Sequence, residues 1–204
     1  MESELGVSDT HYDFETRSRF PPAHHGFGAR AATGVGALSS NLNGNWEKSS
    51  GVPEDDGSIS LDLFIGSSVR PSFFIGGAML LETALTDRGA VLSNKLDGRA
   101  LVTRRSGIVG PFIDIYPDLE SGLHLGGAAG VSVLRFEAEA SASSLNTFGV
   151  GGAFWVGEDF WITPQWALGP MVRFMSERTW STDEISSSAG WADSVTLSFS
   201  ARYQ

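Results

Sequence analysis

Six charged residues recur in this sequence at positions where their immediate neighbours are apolar or small: Arg30, Asp62, Glu82, Asp114, Arg173 and Arg202. Three cations face three anions. Gathered away from bulk water, such a set can do one of two things. It can line an ion path and gate it, or it can close that path as a network of salt bridges and hydrogen bonds. Buried charge is tolerated when it is paired, and the even balance favours the closed network.

Other chemistry is thinly represented. His124 shares a segment with Ser132, and a His, a Ser and an acid could make a hydrolytic site. Eight residues of extended chain separate them, about 26 Å, so His124 reads as structural. His24 and His25 are adjacent, and adjacent strand residues point to opposite faces, which makes them a poor ligand pair. Glu54-Asp55-Asp56-Gly57 lacks the alternating ligands of a calcium loop and reads as a solvated acidic loop. No GxGxxG, P-loop, HExxH or GxSxG pattern occurs, and there is no cysteine. Neither a metal nor a cofactor is expected.

The elements that must position the six charges are strands. From about residue 24 the apolar period is two. Val195, Leu197, Phe199, Ala201 and Tyr203 share one face of the last segment, with Ser194 to Arg202 on the other. Seven more segments read the same way, at roughly 24–38, 58–69, 72–86, 106–116, 122–136, 146–156 and 160–175. Short connections are expected at Ser68–Pro71, Pro117–Gly122 and Gly157–Asp159. Long polar ones are expected at about 39–57, 87–105, 137–145 and 176–193. This spacing predicts an eight-stranded antiparallel up-and-down meander over residues 23–204, with both ends at the short-turn side. Residues 1–22, acidic and without a period, read as a mobile tail.

Composition decides which face is wet. The chain has 204 residues, one domain's worth, and a formal charge of -10, the wrong sign for a general nucleic-acid binder. Glycine numbers 25, well above the usual share of about 7%. Only 19% of residues are charged, too few to coat a soluble barrel, whose surface carries about 25–35%. Small residues opposite the apolar faces suit a narrow barrel interior. Aromatic residues fall toward strand ends: Phe73, Tyr116, Trp155, Phe160, Trp161 and Tyr203 at one level, Phe148, Phe174 and Trp180 at the other. Two such belts are what lipid interfaces select. The expectation is a transmembrane barrel with its apolar band outside and its charges in the lumen.

Residues 24–204 resemble the small eight-stranded outer-membrane barrels of the OmpA/OmpX type. The likeness rests on the strand count, the alternation of short and long connections and the terminal strand Val195–Tyr203. That family ends its last strand on an aromatic; here Gln204 follows Tyr203. The resemblance implies a bacterial outer membrane, short turns in the periplasm, long loops outside and a signal peptide already removed.

The expected function is then non-enzymatic: an envelope protein that is structural or presents its loops to a partner. The segment holding Arg88, Lys95, Arg99, Arg104 and Arg105 could meet anionic lipopolysaccharide, since phosphates attract arginine strongly. The alternative is a narrow channel for ions or small solutes gated by the luminal charges. A barrel lipid hydrolase and a soluble lipocalin-like binder rank below both.

Overall fold

The computed structural model describes residues 26–43, 54–86, 102–118, 121–138, 143–180 and 189–204. The expected tail, His24, His25, Arg88, Lys95 and Arg99 lie outside the described residues. The strands are β1 Phe27–Asn43, β2 Glu54–Arg70, β3 Phe73–Thr86, β4 Val102–Ile115, β5 Leu123–Ala138, β6 Ser143–Glu158, β7 Phe160–Trp161, β8 Trp166–Trp180 and β9 Ala189–Tyr203. Each pairs antiparallel with its neighbour, β6 pairs with β8, and β9 returns to β1. The sheet therefore closes, as lipid requires of strands.

The two-residue β7 keeps the register that β6 holds against β8, so the two form one interrupted wall strand and the barrel counts eight. The gap at Glu158–Asp159 faces Gly169 and Pro170, and proline has no N–H to give the ladder. The turn expected at Gly157–Asp159 is therefore not there. Phe160 and Trp161 still pair with Leu168 and Ala167, and the chain reverses at Ile162–Gln165. The Thr163 hydroxyl stabilises that turn by accepting from the Gln165 and Trp166 backbone N–H groups at 3.2 and 3.0 Å. Gln165 is exposed in this turn.

A row of partners traced round the wall gives the barrel its geometry. Thr33 faces Leu61, then Leu81, Gly107, Val133, Phe148, Trp180 and Ala189, and Ala189 faces Asn43. One circuit ends ten residues farther along β1 than it began. Eight strands with that stagger tilt by roughly 40° and leave a lumen that side chains fill.

The faces are those of a membrane barrel. Val35, Ile59, Val109, Val131, Phe154 and Leu197 point outward and are each more than half exposed. Arg30, Asp62, Glu82, Asp114, Arg173 and Arg202 point inward and are at most 3% exposed. A soluble barrel would reverse this.

Strands run farther from the short turns than the apolar period indicates. β2 begins at Glu54, β4 at Val102, β8 ends at Trp180 and β9 begins at Ala189. Beyond the lipid band an outward face need not be apolar, so the period fades while the ladder continues. Two expectations change in consequence. Glu54–Gly57 lies on β2 and not in a loop, and Asp56 pairs there with Arg104. Arg104 and Arg105 lie on β4, with Arg104 buried inside and only Arg105 exposed outside.

Candidate functional site: a lumen closed by two ion networks

Alternation fills the lumen in tiers. On β2 the inward residues from top to bottom are Ser58, Ser60, Asp62, Phe64, Gly66 and Ser68; on β4 they are Arg104, Ser106, Ile108, Gly110, Phe112 and Asp114. Charge thus sits toward both ends, with apolar and glycine positions between.

The lower network lies at the short-turn end. Arg30 donates to Asp114 at 2.7 Å, to Asp159 at 2.8 Å and to the Tyr116 hydroxyl at 2.6 Å. Tyr116 donates to Asp159 at 2.6 Å and accepts from Arg202. The Arg202 guanidinium also lies over the Tyr116 and Phe74 rings, 4.6 and 5.0 Å from their centroids. His124 Nδ1 is 2.9 Å from Asp114 Oδ1, and Trp155 donates its indole N–H to the same oxygen at 3.1 Å. Two arginines meet two aspartates here, with a phenol, an imidazole and an indole completing the shell. His124 Nε2 and Asp159 Oδ1, 3.8 Å apart, are buried without hydrogen-bond partners, as are the Nε atoms of Arg30 and Arg202.

Two glycines make room for this packing. A Cβ on Gly126 would stand 2.5 Å from the Trp155 indole, and one on Gly157 would stand 2.5 Å from His124 Nε2. Gly122 has φ of 72°, which a side chain strongly disfavours, and holds the Asp159 N–H at 3.0 Å.

An aromatic tier rests on the lower network. Phe64 packs tilted against Trp155 and edge-to-face against Phe112, with centroids 4.9 and 5.3 Å away, and Phe112 meets Phe74 at 5.2 Å. Ala78, Leu80, Ile108, Met171 and Met175 complete the apolar cluster.

The upper network centres on Arg173, which donates to Asp62, to Glu82 at 2.8 Å and to Thr196 at 3.2 Å. Glu82 also accepts from Ser58 and, at 2.6 Å, from Ser194. Glu177 accepts from Ser106, the residue paired with Glu82 across the sheet. Higher still, Arg104 donates to Asp56 and, at 2.8 Å, to Ser40. Asp62 Oδ2, Glu177 Oε2 and the hydroxyls of Ser60, Ser132 and Ser198 are buried without a partner.

The six expected luminal charges thus all face inward, but they fall into two groups, not one. Sequence reasoning placed Tyr116 and Trp155 at the lipid interface; both are buried inside, within the lower network. Alternation explains this, since Trp155 follows the outward Phe154, and Tyr116 follows β4 at an inward position. Phe148, Phe160, Phe174, Trp180 and Tyr203 are exposed outside, and Phe73 and Trp161 are half-buried. Asp159, Glu177, Phe64, Phe74 and Phe112 went unnoticed as lumen residues. For the three phenylalanines the signal was an apolar pair such as Phe73-Phe74 or Leu63-Phe64, where two successive apolar residues must point to opposite faces. His124 and Ser132 remain apart, since His124 is held by Asp114 in the lower network.

No protein-family model matches the sequence, and a search of curated proteins finds no match. Among solved structures the chain is similar to Neisserial surface protein A, at 14% identity and a TM-score of 0.53, with 87% of this chain covering 96% of that one. It is also similar to the outer membrane protein OprG from Pseudomonas aeruginosa (13%, 89% and 98% covered, TM-score 0.47) and to the outer membrane protein AlkL (15%, 100% and 96%, 0.43). The first likeness carries the assignment, and it is one of fold. With the inside-out faces, it makes this chain a closed eight-stranded transmembrane barrel of the kind found in bacterial outer membranes.

Proposed function

We propose that this chain is a non-conducting, non-enzymatic integral protein of a bacterial outer membrane, which works through its wall and through the end opposite its short turns. The observation behind this reading is the filled lumen. Two ion networks and the Phe64–Trp155–Phe112–Phe74 tier between them occupy it, which argues against a continuous wet path. Solutes would have to break paired buried charges to pass, and such pairs are costly to break. By the family analogy the short turns face the periplasm and the opposite end of the barrel faces outside. There the chain would meet a protein partner or anionic lipopolysaccharide; Arg105 on β4 is a cation offered for the latter, and Arg88, Lys95 and Arg99 lie outside the described residues.

The test is conductance in planar bilayers, on protein whose mobility in cold SDS differs from that of the boiled sample. Wild-type barrels should be silent, and Phe64→Ala with Trp155→Ala should admit current. Steady wild-type conductance that Glu82→Ala alters would overturn the reading. It would favour the second one, a narrow gated channel. That alternative draws on the partnerless oxygens of Ser60, Asp62 and Ser198, which suit water in the upper lumen.

A further inference from the structure

We infer that the outer wall at β5, β6 and β8 carries a docking site for the lipid A portion of lipopolysaccharide, with an acyl chain in a wall groove and a phosphate on an arginine belt above it. This rests on the outer-membrane reading and gives its lipid partner a place.

The groove comes first. Small residues leave a depression of about 920 Å³ in the outward face, lined by Ala129, Val131, Gly152, Phe154, Phe174 and Arg178. Larger side chains such as Ile59, Leu61, Ile113 and Leu197 stand elsewhere in the band, and small ones recur on β1 at Ala29, Ala31 and Ala37. Ala129 and Gly152 form its floor, while Phe154 and Phe174, with centroids 5.8 Å apart, form its lower edge. The lining is apolar except for Ser176, which pairs with Gly152 on the floor, and Arg178 at the upper end.

The belt follows from the stagger. Ten residues at about 3.3 Å, inclined at about 40°, amount to roughly 25 Å of climb in eight steps, or roughly 3 Å per strand along a row. Arg178 shares a row with Val150 and Val131 and so stands roughly 6 Å above Val131. Arg135 is four residues up β5 from Val131, roughly 10 Å higher. Arg105 is four residues up β4 from Val109, which pairs with Val131, and so reaches roughly 7 Å. Residues far apart in sequence therefore stand within roughly 4 Å of one level, at the top of the apolar band.

Their pairing leaves charge to offer. Arg105 and Arg135 share one carboxylate, Glu137, at 3.5 and 2.5 Å; Arg178 is 3.7 Å from Asp193. The arginine side chains are 54%, 44% and 57% exposed, while the two carboxylates are 27% and 35% exposed. Three guanidinium groups thus stand outside two acids, near the level of the outward aromatics Phe148 and Trp180. Guanidinium is the side chain best suited to phosphate, through paired hydrogen bonds. Trp191, under Arg178 at 5.9 Å, holds it near the wall. A cationic rim directly over an apolar groove fits a ligand that is anionic at one end and fatty at the other.

The experiment uses the folded full chain in nanodiscs, with bound lipid counted by native mass spectrometry. The probes are diphosphorylated lipid A, its dephosphorylated form, phosphatidylethanolamine and inorganic pyrophosphate. Diphosphorylated lipid A should bind at a defined stoichiometry. Arg105→Gln, Arg135→Gln and Arg178→Gln together should weaken it at least tenfold, about 1.4 kcal/mol, and dephosphorylation should weaken it similarly. Gly152→Leu with Ala129→Phe, which fills the groove and leaves the arginines alone, should also weaken lipid A but spare pyrophosphate. Each variant is scored only after it shows the cold-SDS mobility shift, and the triple Arg→Lys variant provides a folded control with charge retained. Equal binding of phosphatidylethanolamine would overturn the site as an unselective lipid contact. Full lipid A binding by both sets of variants would overturn it as well. Loss of the outer-membrane reading would appear separately, as protein that needs no detergent and shows no mobility shift.

Discussion

The two ends of the lumen solve the same problem with different ingredients. At the short-turn end, two arginines meet two aspartates, and Tyr116, His124 and Trp155 add further hydrogen bonds to them. At the opposite end, Arg173 bonds both Asp62 and Glu82, Arg104 pairs with Asp56 farther up, and Ser58, Ser106 and Ser194 donate to Glu82 and Glu177. The lower network is redundant: Asp159 reaches both Arg30 and Arg202, so losing one cation leaves another. In the upper one, Asp62 and Glu82 share the single guanidinium of Arg173. Pairing alone therefore does not rank two networks; what matters is how many partners each charge keeps when one is lost.

That contrast can be broken or sharpened by substitution, with stability read from urea unfolding of the reconstituted barrel. Arg173→Met should do most harm. It leaves Asp62 and Glu82 buried without their cation and should cost about 3–5 kcal/mol; a cost below that of Arg30→Met would erase the distinction. Arg30→Met should cost less, roughly 1.5–3 kcal/mol, because Tyr116, Arg202, His124 and Trp155 still serve both aspartates. Trp155→Phe removes one donor to Asp114 and should cost about 1–2 kcal/mol. Glu177→Gln should be close to neutral or stabilising by up to about 1 kcal/mol. It withdraws a surplus negative charge, and the amide oxygen can still accept from Ser106. A loss comparable to Arg173→Met would mean that the upper end is not short of cations.

Much of this architecture could be read from the residues. Alternation alone located the wall strands, and the sparse charge turned the apolar face outward. The six luminal charges were identified because each interrupts a face of small residues. What escaped was set by geometry that no local pattern carries. Arg30 and Asp114 are 84 positions apart and Arg173 and Asp62 are 111 apart, so the division into two networks depends on the stagger between strands. Trp155 and Tyr116 were assigned by residue type, and the inward parity of their positions overrode it. Phe64 and Phe74 were hidden because an inward aromatic beside an outward one looks like a continuous apolar run. The last turn was misplaced because Gly157-Glu158-Asp159 has turn composition, while the ladder resumes beyond it at Phe160.

The seam between β1 and β9 has a consequence in time. Its pairs, from Ala29 with Tyr203 to Asn43 with Ala189, join the most distant strands of the sheet. All other neighbours are hairpins or near-hairpins that can zip as the chain emerges. Until the seam forms, the growing sheet has two open edges, each a row of unpaired amides and carbonyls ready to join another chain. Closing a loop this long is the entropically expensive step. Arg202, which bonds Tyr116 and Asp159 from β9, enters the lower network only at that moment. Zipping the wall and completing its ionic plug are therefore one event, and an unfinished barrel is both open-edged and short of a cation.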